Sequence, residues 1–227
     1  MLSTMTPPPV RAGRAYAARP AGAAPPPLPG VEEVGDTPLR LMEAAADAFA
    51  DHGFHATTTR DIASRAGLSP AGVYVHFASK EDLLFALSER GHEAARNLLV
   101  DAATAAHSPS EGLRAILDIF SAWHAEHYRV GRIVQYEFVH LTAAHREVVL
   151  RLRKEIDGVV RSVLLAGVAS GEFEVEDVQA TTLALMSMCV DVARWYTPGI
   201  RRTPAQIGAT NARLGLRLVG ARGSGPG

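Results

Sequence analysis

Between residues 58 and 82 the sequence carries three helix starts, and this spacing constrains the fold more than any other feature. Thr58-Thr59-Arg60-Asp61 sets a capping hydroxyl three residues before an acid that can reach back to its amide. Ser69-Pro70 supplies a cap followed by a first-turn proline. Ser79-Lys80-Glu81-Asp82 repeats the cap-box pattern. The first of these helices must be short, because Gly67 follows Ala66 and provides the left-handed residue of a tight turn. Two short helices joined by a glycine-containing turn form a helix-turn-helix.

The rest of the chain reads as helix too. Met42, Ala45, Ala46 and Phe49 recur on one face of a first helix that opens at Pro38 and stops at Gly53. The helix opening at Lys80 keeps a face through Leu84, Leu87, Gly91, Ala94, Ala95 and Leu98. A fifth follows Pro109, with Leu113, Ile116, Leu117 and Phe120 in register, and Gly131 is expected to separate it from a sixth over 133–141. Val149 to Val163 mark a seventh that ends near Gly171, residues 176–196 an eighth and 204–219 a ninth. No stretch alternates with period two, so the fold class is all-α. Residues 1–35 are expected to be a disordered tail, because prolines at this density remove donors and fix φ. Its Arg11, Arg14 and Arg19 precede any acid, so it is read either as a solvated tail or sequence upstream of the true start codon, or as an arm along DNA. Residues 221–227 are expected to form a flexible Gly-rich end.

Several classes are excluded. One cysteine, Cys189, rules out a disulfide scaffold, and its place in an apolar run predicts a buried, inert thiol. His124 and His127 stand at i and i+3, but no third ligand accompanies them, so no metal and no cofactor is expected. There is no phosphate loop and no G-x-S-x-G, and the chain is not read as an enzyme. The N-terminus lacks a secretory pattern, and the apolar run 180–190 is about half of the ~20 residues a membrane span needs. A cytoplasmic location and no membrane partner are therefore expected.

Residues 37–84 resemble the DNA-binding domain of the TetR/AcrR family of bacterial transcriptional regulators. The resemblance rests on Ala45, Phe49, Gly53, Phe54, Thr57, Thr58, Ile62, Ala63, Ala66, Gly67, Ser69, Tyr74, His76, Phe77, Lys80 and Leu83, and above all on the run IASRAGLSPAGVYVHFASK. It implies an N-terminal three-helix helix-turn-helix domain over 36–95, a C-terminal ligand-binding and dimerisation domain over 96–220, and a double-stranded DNA operator as partner. It also implies that the helix after Ser69 enters the major groove. Ser69, Pro70, Ala71 and Gly72 would then meet base edges, where a methyl or a proline ring can touch a thymine methyl. Tyr74 and His76 would reach phosphates or pack as a hinge, and Thr58, Thr59 and Lys80 would open the flanking helices toward phosphates. Only Arg60 could make a bidentate contact to guanine. Two positions depart from the family pattern: Ala71-Gly72 puts a glycine inside the recognition helix, and Val75 cannot hold a phosphate. Residues 37–83 carry four cations against six acids, so the cations must be gathered on one face.

In the C-terminal half, a helix apolar on nearly every side over 180–190 must be covered on both flanks. A two-fold homodimer through the last two helices would cover the second flank, with Gly208, Ala209, Ala212 and Gly215 allowing close approach. Candidate ligand-binding residues are Phe120, Trp123, His124, His127, Tyr136, Met186, Arg194 and Trp195. The segment VARWYTPGIRRTPAQI is similar to TetR-family repressors of fatty-acid and steroid-ring catabolism that respond to acyl-CoA thioesters. By that similarity Arg194 would hold an anionic head group of the inducer. A lipophilic cation facing Glu126 or Glu137 is the alternative, and a small-molecule enzyme or carrier with a vestigial DNA-binding domain is a further one.

Overall fold

In the computed structural model of the chain the described residues are Leu28 and 35–221; Leu28, inside the expected disordered tail, is buried against the cluster of α1, and the other expectations about the two tails, with Arg11, Arg14 and Arg19, lie outside the described residues. The described residues contain helices and no strands. The N-terminal unit comprises α1 (Asp36–Ala56), α2 (Thr59–Arg65) and α3 (Pro70–Tyr74). The long α4 (Lys80–Thr104) leaves it without a break and enters the second unit. That unit holds α5 (Pro109–Glu126), α6 (Tyr128–Tyr136), a 3-10 turn (Phe138–His140), α7 (Ala143–Ser170), α8 (Val178–Val190), α9 (Val192–Trp195) and α10 (Pro204–Leu218). Among the described residues no helix is long and apolar enough to cross a membrane.

The local signals act as their chemistry dictates. Thr58 and Asp61 form both halves of a capping box, while Ser69 and Ser79 accept from the amides of Gly72 and Asp82. Gly67 has φ of 66°, and Arg40 donates to the carbonyl of Ala66, which ends α2 against α1. At Gly53, with φ 76° and ψ 166°, α1 kinks rather than stops, and one further turn follows.

Two further expected boundaries differ. The helix expected to break at Gly131 breaks one turn earlier, at His127, and Gly131 lies inside α6. A Cβ there would stand 2.9 Å from the Cβ of Ala193, so this glycine serves the close approach of α6 to α9. The expected helix over 176–196 is two, α8 and α9, divided at Asp191. The buried guanidinium of Arg132 donates to the carbonyls of Ala193 (2.7 Å), Arg194 (3.0 Å) and Tyr196 (2.7 Å), and so caps the end of α9, where these acceptors lose their helical partners.

Two apolar clusters form. One joins α1 to α4 and extends through Val130, Ile133, Val134, Leu141 and Val149, so the N-terminal unit is seated on α6 and α7. The other fills the space among α4, α5, α7, α8 and α10 around Leu113, Ile116, Leu117, Leu164 and Leu185. The small residues of α10 serve this second core: a Cβ at Gly208 would meet the Asp118 carbonyl oxygen at 2.3 Å, and one at Gly215 would meet Leu117 at 2.1 Å. They bring α10 against α5 of the same chain, and Leu214 and Leu218 of α10 are left exposed, as is Leu183 of α8.

Candidate DNA-binding and ligand sites

The helix-turn-helix turns most of α3 outward. Pro70, Ala71, Tyr74, Val75 and His76 are exposed along α3 and its end, Gly72 is half-buried, and Val73 alone points into the core. Val75 is 78% exposed, too open to be core, which marks it as part of the outward surface. Thr59 and Tyr74 approach with their hydroxyls 3.3 Å apart, tying the start of α2 to the end of α3. Thr58 is held by Asp61, whose carboxyl is pushed below its ordinary range by the Thr58 side-chain and backbone hydrogen bonds. Arg60 is exposed, while Arg65 is occupied by Asp51 at 2.9 Å and His52 at 3.1 Å. The cations of the unit are thus unevenly available, and Arg60 stands out on the α2–α3 side.

Lys80 sits differently from the phosphate contact that the resemblance implies. Its ammonium donates to the carbonyls of Phe54 (2.7 Å), His55 (3.3 Å) and Thr57 (2.8 Å), and lies 4.4 Å from the centre of the Phe54 ring. All three N–H bonds tie the start of α4 to the end of α1.

That junction reaches into the second unit. Phe54 stacks on His140 at 5.0 Å, and His55 meets the same ring edge-on at 4.2 Å. Glu137 accepts from the Phe54 amide at 3.3 Å, so it serves this contact rather than a bound cation. On the other side Glu81, in the first turn of α4, accepts from the Thr142 amide at 2.7 Å and from His145 at 3.0 Å, while Phe85 stacks on the His145 ring at 3.8 Å.

An inner cavity of about 370 Å³ lies among α4, α5, α6, α7 and α8. Of the expected ligand residues, Phe120, Trp123, His124 and Met186 line it. Trp195 lines a second, open cavity of about 660 Å³, which shares Gln135, Ser187 and Val190 with the first. The other three lie elsewhere. His127 packs against Trp123 at 5.0 Å and borders a groove beside α1, and Tyr136 is half exposed. Arg194 pairs with Asp191 at 2.8 Å on the surface and lines neither cavity. Glu126 is exposed and Glu137 is engaged at Phe54, so neither acid lines the inner cavity.

Sequence reasoning missed the rest of the wall, in which Gly91, His92, Gln135, Arg153 and Asp157 stand among small and aliphatic residues. A signal was present: His92 and Arg153 fall on the apolar-rich faces of their helices, where a polar residue needs a partner. His92 Nδ1 lies 2.6 Å from the Ser88 carbonyl, and Arg153 Nε donates to His92 Nε2 at 3.1 Å. Burial holds both His92 and His124 at a pKa of about 4, so both rings are neutral at pH 7. The thiol of Cys189, buried as expected, is pushed up to about 11 by desolvation.

These rings set an acid sensitivity. A histidine at 6.5 in the unfolded chain and about 4 when folded binds its proton more readily unfolded. Its contribution is therefore complete above pH 6.5, is lost as pH falls toward 4, and levels off below. The shift at His124 corresponds to roughly 3 kcal/mol. Urea midpoints of His124→Phe are expected to fall less than those of the parent between pH 6.5 and 4; parallel curves would refute this. Gly91 offers a second test. A Cβ there meets nothing within 4 Å, so Gly91→Ala is expected to stabilise α4 by about 1 kcal/mol, visible as a rise in Tm.

Residues 41–87 match the family described as bacterial regulatory proteins, tetR family, and residues 106–219 match the tetracyclin repressor-like C-terminal domain. The HTH-type transcriptional repressor KstR2 of Rhodococcus jostii is 32% identical over 185 residues, covering 77% of this chain and 87% of that protein. A tetR-family regulatory protein from Rhodococcus RHA1 superposes with a TM-score of 0.79 at 32% identity, covering 83% of this chain and all of its own. The ketosteroid transcriptional regulator KstR2 of Mycobacterium tuberculosis gives 0.77 at 26%, covering 86% of this chain and 99% of its own. With both of its units matched in order, the chain belongs to the TetR family of bacterial regulatory proteins and is a DNA-binding transcriptional regulator.

Proposed function

We propose that the chain is a cytoplasmic, homodimeric repressor released from a pseudo-palindromic operator when a hydrophobic ligand, carried as an acyl-CoA thioester, fills the inner cavity. The observation that carries this reading is α4. Its first residue, Lys80, fastens the helix-turn-helix, and its Gly91, His92 and Ala95 form one wall of the cavity. A single rigid element therefore feels the ligand and holds the recognition unit. The regulator works by population shift: the ligand binds better to a state in which α4 has pivoted, and the two recognition helices lose their spacing of about one DNA turn, ~34–36 Å.

The dimer is supported by the open face of α8 and α10, where Leu183 is 67% exposed, Leu218 56% and Leu214 48%. Leucines this exposed on neighbouring helices suit a partner helix pair. Base contacts fall to Ser69, Pro70, Ala71, Gly72 and Arg60, with Thr58, Thr59, Tyr74 and His76 toward phosphates. The two joined cavities suit an amphipathic ligand: the inner one is largely apolar and within the ~300–1,000 Å³ range of ligand pockets, and the outer one can hold a bulky head group. KstR2 is named for ketosteroids, flat apolar bodies of the size the inner cavity admits. No catalytic activity forms part of this reading.

A gel shift with the promoter beside its own gene tests it. Retarded DNA that is freed by micromolar acyl-CoA thioesters, but not by free CoA, is expected. Release by a cationic amphiphile alone would replace the ligand class, and retention under every compound would overturn release.

A further inference from the structure

We propose that Arg153 selects the ligand by donating to an uncharged oxygen acceptor carried on the part of the molecule inside the inner cavity. This deepens the reading above and rests on it. Arg153 lines the inner cavity and is fixed there from three sides. Its Nε is held by His92 at 3.1 Å, its Nη2 approaches the Val134 carbonyl at 3.4 Å, and its guanidinium lies 4.5 Å from the centre of the Phe138 ring. His92 is itself oriented by the Ser88 carbonyl, so the ring presents an acceptor toward the arginine and cannot take its charge. A charged fork set in this way is a preorganised donor, and the Val134 bond, at 3.4 Å, is long enough to be exchanged for a better acceptor.

The charges around the cavity decide between an uncharged acceptor and a carboxylate. The charged groups of its wall are Arg153 and Asp157, one turn apart on α7, and the two histidines beside them are neutral. The wall is therefore balanced. A carboxylate would face Asp157 and leave an uncompensated charge against apolar walls of Phe120, Ile156 and Met186, whereas a ketone takes the bond and leaves the balance intact. Arg153, His92 and Asp157 do not border the outer cavity, so the acceptor belongs on the apolar body and not on the head group.

The full-length protein carries its own reporter, since Trp123 lines the same cavity. Decanoyl-CoA and its 5-, 7- and 9-oxo derivatives would be titrated against tryptophan fluorescence. At least one oxo derivative is expected to bind about tenfold more tightly than decanoyl-CoA, the ratio for one hydrogen bond to a charged donor. Arg153→Met is expected to abolish that preference, so that the oxo derivatives and decanoyl-CoA bind the variant alike. Arg153→Gln, which keeps a donor but loses charge and reach, serves if the methionine variant does not fold, with the same collapse expected. Equal binding of all four probes, a preference that survives in the variants, or no binding of any oxo derivative would overturn the assignment. Release of operator DNA by decanoyl-CoA would in each of those cases leave the regulatory reading standing, and failure of every thioester to bind or release would remove both.

Discussion

Gly208→Ala is expected to destabilise the protein by about 1 kcal/mol or more, although the same change in an open helix would stabilise it. Alanine favours a helix interior over glycine by about 1 kcal/mol. Against that gain, the new methyl would stand 2.3 Å from the carbonyl oxygen of Asp118 and 2.4 Å from its carboxylate. The nearer obstacle is backbone, so no rotamer relieves it, and α10 must move off α5 along the contact that closes the second core. Overpacking of this kind costs about 1–3 kcal/mol and sometimes more, which outweighs the helical gain. Gly158 supplies the control: a Cβ there meets nothing within 4 Å, so Gly158→Ala is expected to raise the urea midpoint. Midpoints moving in opposite directions would bear the packing out, and a rise in both would show that α10 does not sit so close.

Lys80→Met is expected to lower operator affinity by at least tenfold without changing its salt dependence. Methionine keeps much of the aliphatic stem and removes the three hydrogen bonds to the end of α1. Those bonds come from a charged donor, and their loss, with the contact over Phe54, is expected to cost about 2–4 kcal/mol of stability. A lysine at a phosphate contributes about one unit to the slope of log affinity against log salt. Gel shifts between 50 and 200 mM salt therefore distinguish the two roles. An unchanged slope places Lys80 inside the domain as a positioning residue, and a slope shallower by about one unit places it on DNA.

The N-terminal unit was legible because its information is local. A cap, an acid three residues later and a glycine at positive φ act within single turns, and Thr58, Asp61, Gly67 and Ser69 formed the expected structures. The C-terminal half was legible as helix but not in its breaks. Gly131 carries the mark of a terminator, yet its use depends on Ala193, some sixty residues away. The end of α9 depends in the same way on Arg132, whose guanidinium takes the carbonyls of Ala193 and Arg194. For the cavity, the bulky candidates Phe120, Trp123 and Met186 were found by size, and His124 with them. Arg194 was chosen for charge beside an aromatic, but Asp191 one turn away holds it at the surface. Arg153 falls on the apolar-rich face of α7 but among charged neighbours, and what fixes it at the cavity is its meeting with His92 of another helix.

The unbroken course of α4 has a mechanical consequence. Eleven residues separate Lys80 from Gly91, which at 1.5 Å per residue makes a lever arm of roughly 16 Å. A tilt of about 5° at the cavity end displaces the far end by ~1.4 Å, and two-fold symmetry doubles the error between half-sites. Potency in freeing DNA then follows the girth of the guest at the α4 wall and not how tightly it is held. A slender compound of high affinity would occupy the protein and act as an antagonist of a thicker, weaker one.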